Sequence, residues 1–289
     1  MNVIQDNVIY LDGITAGDKA IYDAFSLGFS DYQMPFNMPF DVFIERFFGI
    51  EGNERRLSYV AYDGENPIAV LLGGFNTYDQ LPTIRCGALS VAPNYRGKGV
   101  SKMLMQLHEQ DGVKSSARQL MLEVLGDNDR AIRFYEKCDY FKTTLLYYYS
   151  LSKEGFRKRN DSPNLDSSNP AISEASLEAL KISNTHTNWQ NDLHYIANDP
   201  ISKIYTIMQD DEICSFIALN TKGKLYRIYT SPKHRSKGYA SALLAYVLER
   251  HAFDKMVFSC PASSQMMHFL YKHGFHKDAL YQFEMTKPL

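Results

Sequence analysis

Apolar residues recur along this chain with two periods. "RLSYVAY" (56–62) and "PIAVLLGGF" (67–75) are short β-branched and aromatic runs separated by the turn residues "DGENP", which predicts two paired strands. "TIRCGALSV" (83–91) predicts a third strand. After Gly99 the period changes: Val100, Met103, Leu104 and Leu107 fall on one face of a helix. "QLMLEVL" (119–125) predicts a buried strand, and "NDRAIRFYEKC" (128–138) a helix that Asn128 would cap. "YFKTTLLYYYSL" (140–151) closes this half with one or two strands.

The second half repeats the order. "KIYTIMQ", "ICSFIALN" and "KLYRIYT" predict strands, and Tyr239, Ala242, Leu243 and Tyr246 mark the face of a helix. Two short motifs recur with it. "VAPNYRGKGVSKMLM" (91–105) is echoed by "TSPKHRSKGYASALL" (230–244), with Arg96 and Arg235 139 positions apart (235 − 96). "FYEKCDYF" from Phe134 is echoed by "FLYKHGFH" from Phe269, 135 positions on (269 − 134). Two motifs recurring in order at nearly one offset predict a duplicated domain. "SKEGFRKRNDSPNLDSSNP" (152–170) is polar and reads as a linker or surface loop, so the expected domains are 1–151 and 171–289.

Bulk composition narrows the function classes. A length of 289 residues suits two domains, and 45% hydrophobic content supplies a core for each. With 31 basic and 33 acidic residues the net charge is -2, which argues against nucleic-acid or membrane-surface partners. No secretory or spanning segment is legible, and the four cysteines are too scattered for a metal site or a disulfide scaffold. The expectation is a cytoplasmic protein without a metal.

A strand that ends in a Gly-rich turn and opens a helix is suited to an anion. The first amides of the helix are unpaired, the dipole favours negative charge there, and glycine lets a phosphate approach the backbone. Arg96 and Lys98 would add charge-assisted hydrogen bonds of roughly 1.5–3 kcal/mol each. Neither turn has the spacing of a P-loop or of a dinucleotide fingerprint. The turns read Arg-x-x-Gly-x-Ser and Arg-x-x-Gly-x-Ala. Arg-x-x-Gly-x-Gly/Ala after a strand and "V-x-P" resembles the acyl-CoA pyrophosphate loop of the GNAT superfamily of N-acetyltransferases, with Ser101 a small departure that Ala240 in the second half does not share. Asn128, Ala131, Phe134 and Tyr135 resemble that family's second signature.

The resemblance implies an α/β (α+β) fold of two GNAT-like domains, each a mixed, mostly antiparallel sheet flanked by helices. Acetyl-CoA would lie between splayed central strands and give its acetyl group directly to an amine. By position, Val91 would bond the pantetheine through its backbone. Arg96, Gly97, Lys98, Gly99, Val100 and Ser101 would hold the pyrophosphate, and Asn128 would steady the thiol arm. A weaker second site comprises Thr230, Arg235, Lys237, Gly238 and Ala240.

Acetyl transfer needs a base for the amine and an acid for the departing thiolate. Tyr135 stands where tyrosine-using GNAT enzymes carry the acid, although Ala131, Phe134, Tyr135 and Cys138 also fit a core stripe. Glu123 lies inside an apolar strand twelve residues earlier (135 − 123), the spacing of a Glu/Tyr pair in that family. An apolar setting would raise its pKa toward that of a useful base acting through water. The alternative is a satisfied carboxylate holding an amide or a nearby cation. Aligning the halves on Phe134 and Phe269 sets Phe258 opposite Glu123 and Leu270 opposite Tyr135, so chemistry is assigned to the first half. The acceptor wall is expected in "FSDYQMPF", with Asp31, Tyr32, Met34 and Phe36 receiving a small-molecule or peptide amine. Trp189 is a further candidate for a cap over the cleft. A non-catalytic acyl-CoA sensor or interaction module is the alternative function.

Overall fold

The computed structural model describes residues 3–5, 7–31, 38–156, 171–183 and 185–289. Contacts divide the chain into two units, Met1–Thr143 with Phe283–Leu289, and Thr144–Gln282.

The first unit is built on β1 (Val3–Gln5), β2 (Val8–Asp12), β3 (Glu54–Asp63), β4 (Asn66–Tyr78), β5 (Leu81–Val91) and β6 (Gln119–Leu125), adjacent in that order. Neighbours are antiparallel except β5 and β6, which run parallel. Helices α1 (Gly13–Ala16), α2 (Asp18–Gly28) and α3 (Phe40–Ile44) precede β3; α4 (Val100–Lys114) links β5 to β6, and α5 (Asp129–Glu136) follows. Ile21, Phe25 and Phe43 pack with Val60, Val70 and Leu72. Leu104 and Leu107 of α4 pack with Leu57, Leu71 and Ile84 in a separate core, each burial contributing about 1.5–3 kcal/mol. Leu120, Leu122 and Val124 join the α4 core, so alternation turns Glu123 to the other face of β6.

The second unit takes residues 144–152 of β7 (Phe141–Ser152), then β8 (Ile172–Glu174), α6 (Leu193–Asn198), β9 (Ser202–Gln209), β10 (Glu212–Asn220) and β11 (Lys224–Thr230). Next come α7 (Tyr239–Arg250), β12 (Lys255–Pro261), α8 (Met267–Lys272) and most of β13 (His276–Pro288). The strand order is β7-β12-β11-β10-β9-β8, with β11 and β12 parallel and β7 antiparallel to β12.

In both units the parallel pair separates early. Pairing runs from Thr83/Gln119 to Cys86/Leu122 in the first, though β5 continues to Val91. In the second only Lys224/Val257 and Leu225/Phe258 pair, and β11 continues to Thr230. The register of β5 against β4 shifts at Gly87, and that of β11 against β10 shifts at Tyr226. A bulge beside a diverging strand bends the chain and re-aims side chains.

The unit boundary differs from the expected one at Leu151. Residues 146–152 pair with β12 of the second unit, while the C-terminal residues belong to the first. There Tyr78 donates to Glu284 (2.7 Å), Lys287 pairs with Glu109 (2.8 Å), and the Leu289 amide donates to Arg118 (3.0 Å). Alternating apolarity identifies a strand but carries no record of which sheet receives it. Phe156, inside the expected linker, packs on the second unit's core and stacks with His273; residues 157–170 lie outside the described residues.

Candidate functional site

In the first unit β5 ends at Val91 and the chain makes a 3-10 turn, Pro93–Tyr95, before α4. Gly97 (φ 77°) and Gly99 (φ 85°) are left-handed, and a side chain at either would meet open space. Gly99 caps the 15-residue helix α4 and, having no side chain, makes no cap hydrogen bond to its first amides. Lys98 sits 5.1 Å over the Tyr95 ring, Val100 is buried, and Ser101 is half-buried.

Arg96 is engaged within the protein. Its Nε donates to the Val91 carbonyl (2.9 Å), Nη2 to the Gly28 carbonyl (2.9 Å), and both Nη atoms to Asp31 (2.5 and 2.7 Å). Hydrogen bonding from Arg96 holds the Asp31 carboxyl below its usual range. Arg96 and Asp31, expected at opposite ends of the ligands, are thus joined to each other and brace the turn against the end of α2. Tyr32, Met34 and Phe36 lie outside the described residues. Asn128 caps α5 as its spacing suggested, accepting from the Ala131 amide (3.1 Å).

Glu123 does not stand in an apolar setting. Its Oε2 lies 3.9 Å from Nη2 of Arg85, whose Nη1 is 3.6 Å from Glu51, and Glu51 also receives Nε of Arg46 (3.1 Å). The side chains of Glu123, Arg85 and Glu51 are each no more than 5% exposed. Buried charges of this kind are tolerable only when paired. An arginine inside the apolar run "TIRCGAL", on the strand beside Glu123, was the signal for the pair. Tyr135 is 9% exposed and belongs to the α4 core, with its ring 5.4 Å from Phe134 and 6.1 Å from Tyr140.

The second unit holds a cavity of about 960 Å3 between the separated ends of β11 and β12. Thr230, Arg235, Gly238 and Ala240 line it; Lys237 does not. Gly238 (φ 83°) caps α7 without a side chain, and Ser236 (φ 64°) holds the left-handed place that Gly97 fills in the first unit. Arg235 repeats the contact of Arg96, from Nε to the Thr230 carbonyl (3.4 Å), but has no acidic partner among the described residues. Cys260 also lines the cavity; burial pushes its thiol up to about 12, which keeps it protonated.

Strand register corrects one equivalence between the halves. Arg85 pairs with Met121, and Lys224, its counterpart 139 positions on, pairs with Val257. Ser259, not Phe258, therefore stands where Glu123 does. Met256, Phe258 and Cys260 face the second core as Leu120, Leu122 and Val124 face the first, in agreement with this shift. The connection from strand to helix is one residue shorter in the second half, which the helix-based alignment could not reveal. Ser259 accepts at Oγ from Nδ2 of Asn188 (3.2 Å) and of Asn191 (3.3 Å). Leu270 does match Tyr135: each carbonyl receives the amides three and five residues on. Trp189 is 2% exposed and buried in the second unit, so it does not act as an open cap, though its neighbours Asn188 and Asn191 line the cavity.

Among the described residues, no cluster of three or more His, Cys, Asp or Glu side chains is arranged to hold a metal ion, and no helix is long and apolar enough to cross a membrane.

Family models match both halves: the acetyltransferase (GNAT) family over residues 20–140 and an acetyltransferase (GNAT) domain over residues 169–285. The chain is 27% identical over 128 residues to N-alpha-acetyltransferase 30 of Schizosaccharomyces pombe, covering 43% of this chain and 83% of that protein. Its fold is similar to that of a GCN5-related N-acetyltransferase from Sphaerobacter thermophilus (TM-score 0.67, 16% identity, 99% of this chain and 97% of that one). It is also similar to a tandem GNAT protein from the clavulanic acid biosynthesis pathway (TM-score 0.66, 14% identity, 97% and 98%).

Proposed function

The chain belongs to the GNAT acetyltransferase family, with one such domain in each half, and from this premise we propose that it moves the acetyl group of acetyl-CoA to a primary amine. The observation that carries the proposal is the left-handed turn and uncapped helix start, built twice and opening in the second unit on the cavity of about 960 Å3. That volume is at the upper end of the range for small-molecule sites.

The pyrophosphate rests on residues 96–101 or on residues 235–240. Chemistry is assigned to the first unit, because Ser259 and Leu270 occupy the places of Glu123 and Tyr135 in the second. The amine attacks the thioester carbonyl, Glu123 takes its proton through a water, and Tyr135 gives a proton to the departing thiolate. Their placement on opposite faces of β6 supports this division. Base and acid act on different atoms, the amine nitrogen and the departing sulfur, so two separate groups are needed.

Acetyl-CoA titration counts the occupied turns, and thiol release with a panel of amines identifies the acceptor. Glu123→Gln is expected to slow transfer at least a hundredfold and flatten its pH dependence while acetyl-CoA affinity is kept; Tyr135→Phe is expected to slow turnover more than it weakens binding. Unchanged rates would remove both roles. One observation favours a second reading, a non-catalytic acyl-CoA sensor: Glu123 is held by a buried arginine and Tyr135 by the core. In that case acetyl-CoA binds and no amine releases thiol.

A further inference from the structure

Taking the cavity of the second unit as an acyl-CoA cleft, we infer that its inner end also binds a carboxylate, through Arg227.

Arg227 follows the bulge of β11 and lines the cavity while only 7% exposed. Among the described residues its side chain donates from Nη2 to the Ser183 carbonyl (3.2 Å), and its guanidinium lies 5.8 Å over the Phe216 ring. No carboxylate stands within ion-pair distance of it among the described residues. The acid whose charge reaches it is Asp192, the residue before α6, which makes no side-chain cap to that helix. Compare Arg85 in the first unit, equally buried and held by Glu51 and Glu123. A buried guanidinium keeps its charge at a cost unless an anion meets it, and its planar fork matches a carboxylate.

The charge of the cavity agrees. Arg227, Arg235 and Lys272 line it, and among the described residues no Asp or Glu does. Arg235 belongs to the turn, where the pyrophosphate is expected. Arg227 lies three residues before the end of β11, about 10 Å along the strand from Thr230, so a phosphate on the turn does not also reach it. The carboxylate has two chemical sources: the far end of a dicarboxylic acyl chain on CoA, or an amino acid or peptide C-terminus bound beside it.

Two binding comparisons by calorimetry on the full chain separate them. One sets succinyl-CoA against acetyl-CoA. The other sets α-amino acids and dipeptides against their C-terminal carboxamides, with and without acetyl-CoA. We expect the carboxylate form to bind at least tenfold more tightly in one comparison, as befits a charge-assisted bidentate pair. Arg227→Gln should abolish that preference, and Arg227→Lys should restore part of it. Equal affinity of acid and neutral forms in both comparisons overturns the proposal, and that outcome is read on the wild-type chain alone should Arg227→Gln fail to fold. Absence of acetyl-CoA binding would instead count against the cleft assignment. The amine comparison without CoA still reads the carboxylate preference in that event.

Discussion

His108 on α4 is fully buried, and neither ring nitrogen has a hydrogen-bond partner among the described residues. Burial lowers its pKa to about 4. The unfolded chain, with a histidine pKa near 6.5, therefore binds the proton more readily than the folded one. The folded state is favoured in full above about pH 6.5 and loses that advantage as the pH falls toward 4, to a total of about 3 kcal/mol. His108→Leu removes two unpartnered buried nitrogens at similar volume and should be at least as stable at pH 7. Urea unfolding between pH 4 and 8 should then show a flatter acid limb for the variant. Glu123 was foreseeable only in part at this scale. Its carboxylate in an apolar run announced that a partner or a role was needed, but Arg85 became its partner only through the parallel pairing of β5 with β6, which local sequence does not specify.

The turn before each long helix is the element most fully legible in the sequence, because its physics is local. Two glycines and two cations after a strand demand left-handed backbone and an exposed helix start, and both are present at Gly97 and Gly99. What stayed hidden was longer in range: Arg96 turned back onto Asp31 and Gly28, and one residue was missing between β12 and α8. The two copies also set a prediction about the turn. Ser236 at φ 64° shows that a small side chain is accepted where Gly97 stands, and open space surrounds Gly97. Gly97→Ser should cost about 1 kcal/mol of stability, as a non-glycine residue does in this region. Gly99→Val should cost more, because a branched side chain at φ 85° clashes with its own backbone at the start of α4. Thermal unfolding orders the two, and acetyl-CoA titration should show a greater loss for Gly99→Val.

At the scale of the molecule, the division of the chain decides which fragments can fold. The boundary suggested by the polar segment after Leu151 leaves Phe283–Leu289 in the wrong half, since those seven residues belong to the first unit. Met285 is fully buried in its core, Glu284 (1% exposed) accepts from Tyr78, and the Leu289 amide closes on Arg118. Removing them deletes a buried apolar side chain, worth about 2–5 kcal/mol for a methionine, and leaves the Tyr78 hydroxyl buried without its acceptor. A chain ending at Gln282 should therefore lose amide protection throughout β6 and α4, while β9 and β10 in the second unit keep theirs. Hydrogen exchange read by mass spectrometry on the full and shortened chains tests this. Equal protection of β6 in both would mean that the first unit does not need the tail. A fragment of residues 1–151 should fail for the same reason, and residues 283–289 supplied as a peptide should restore protection to β6, because the missing part is a strand rather than a linker.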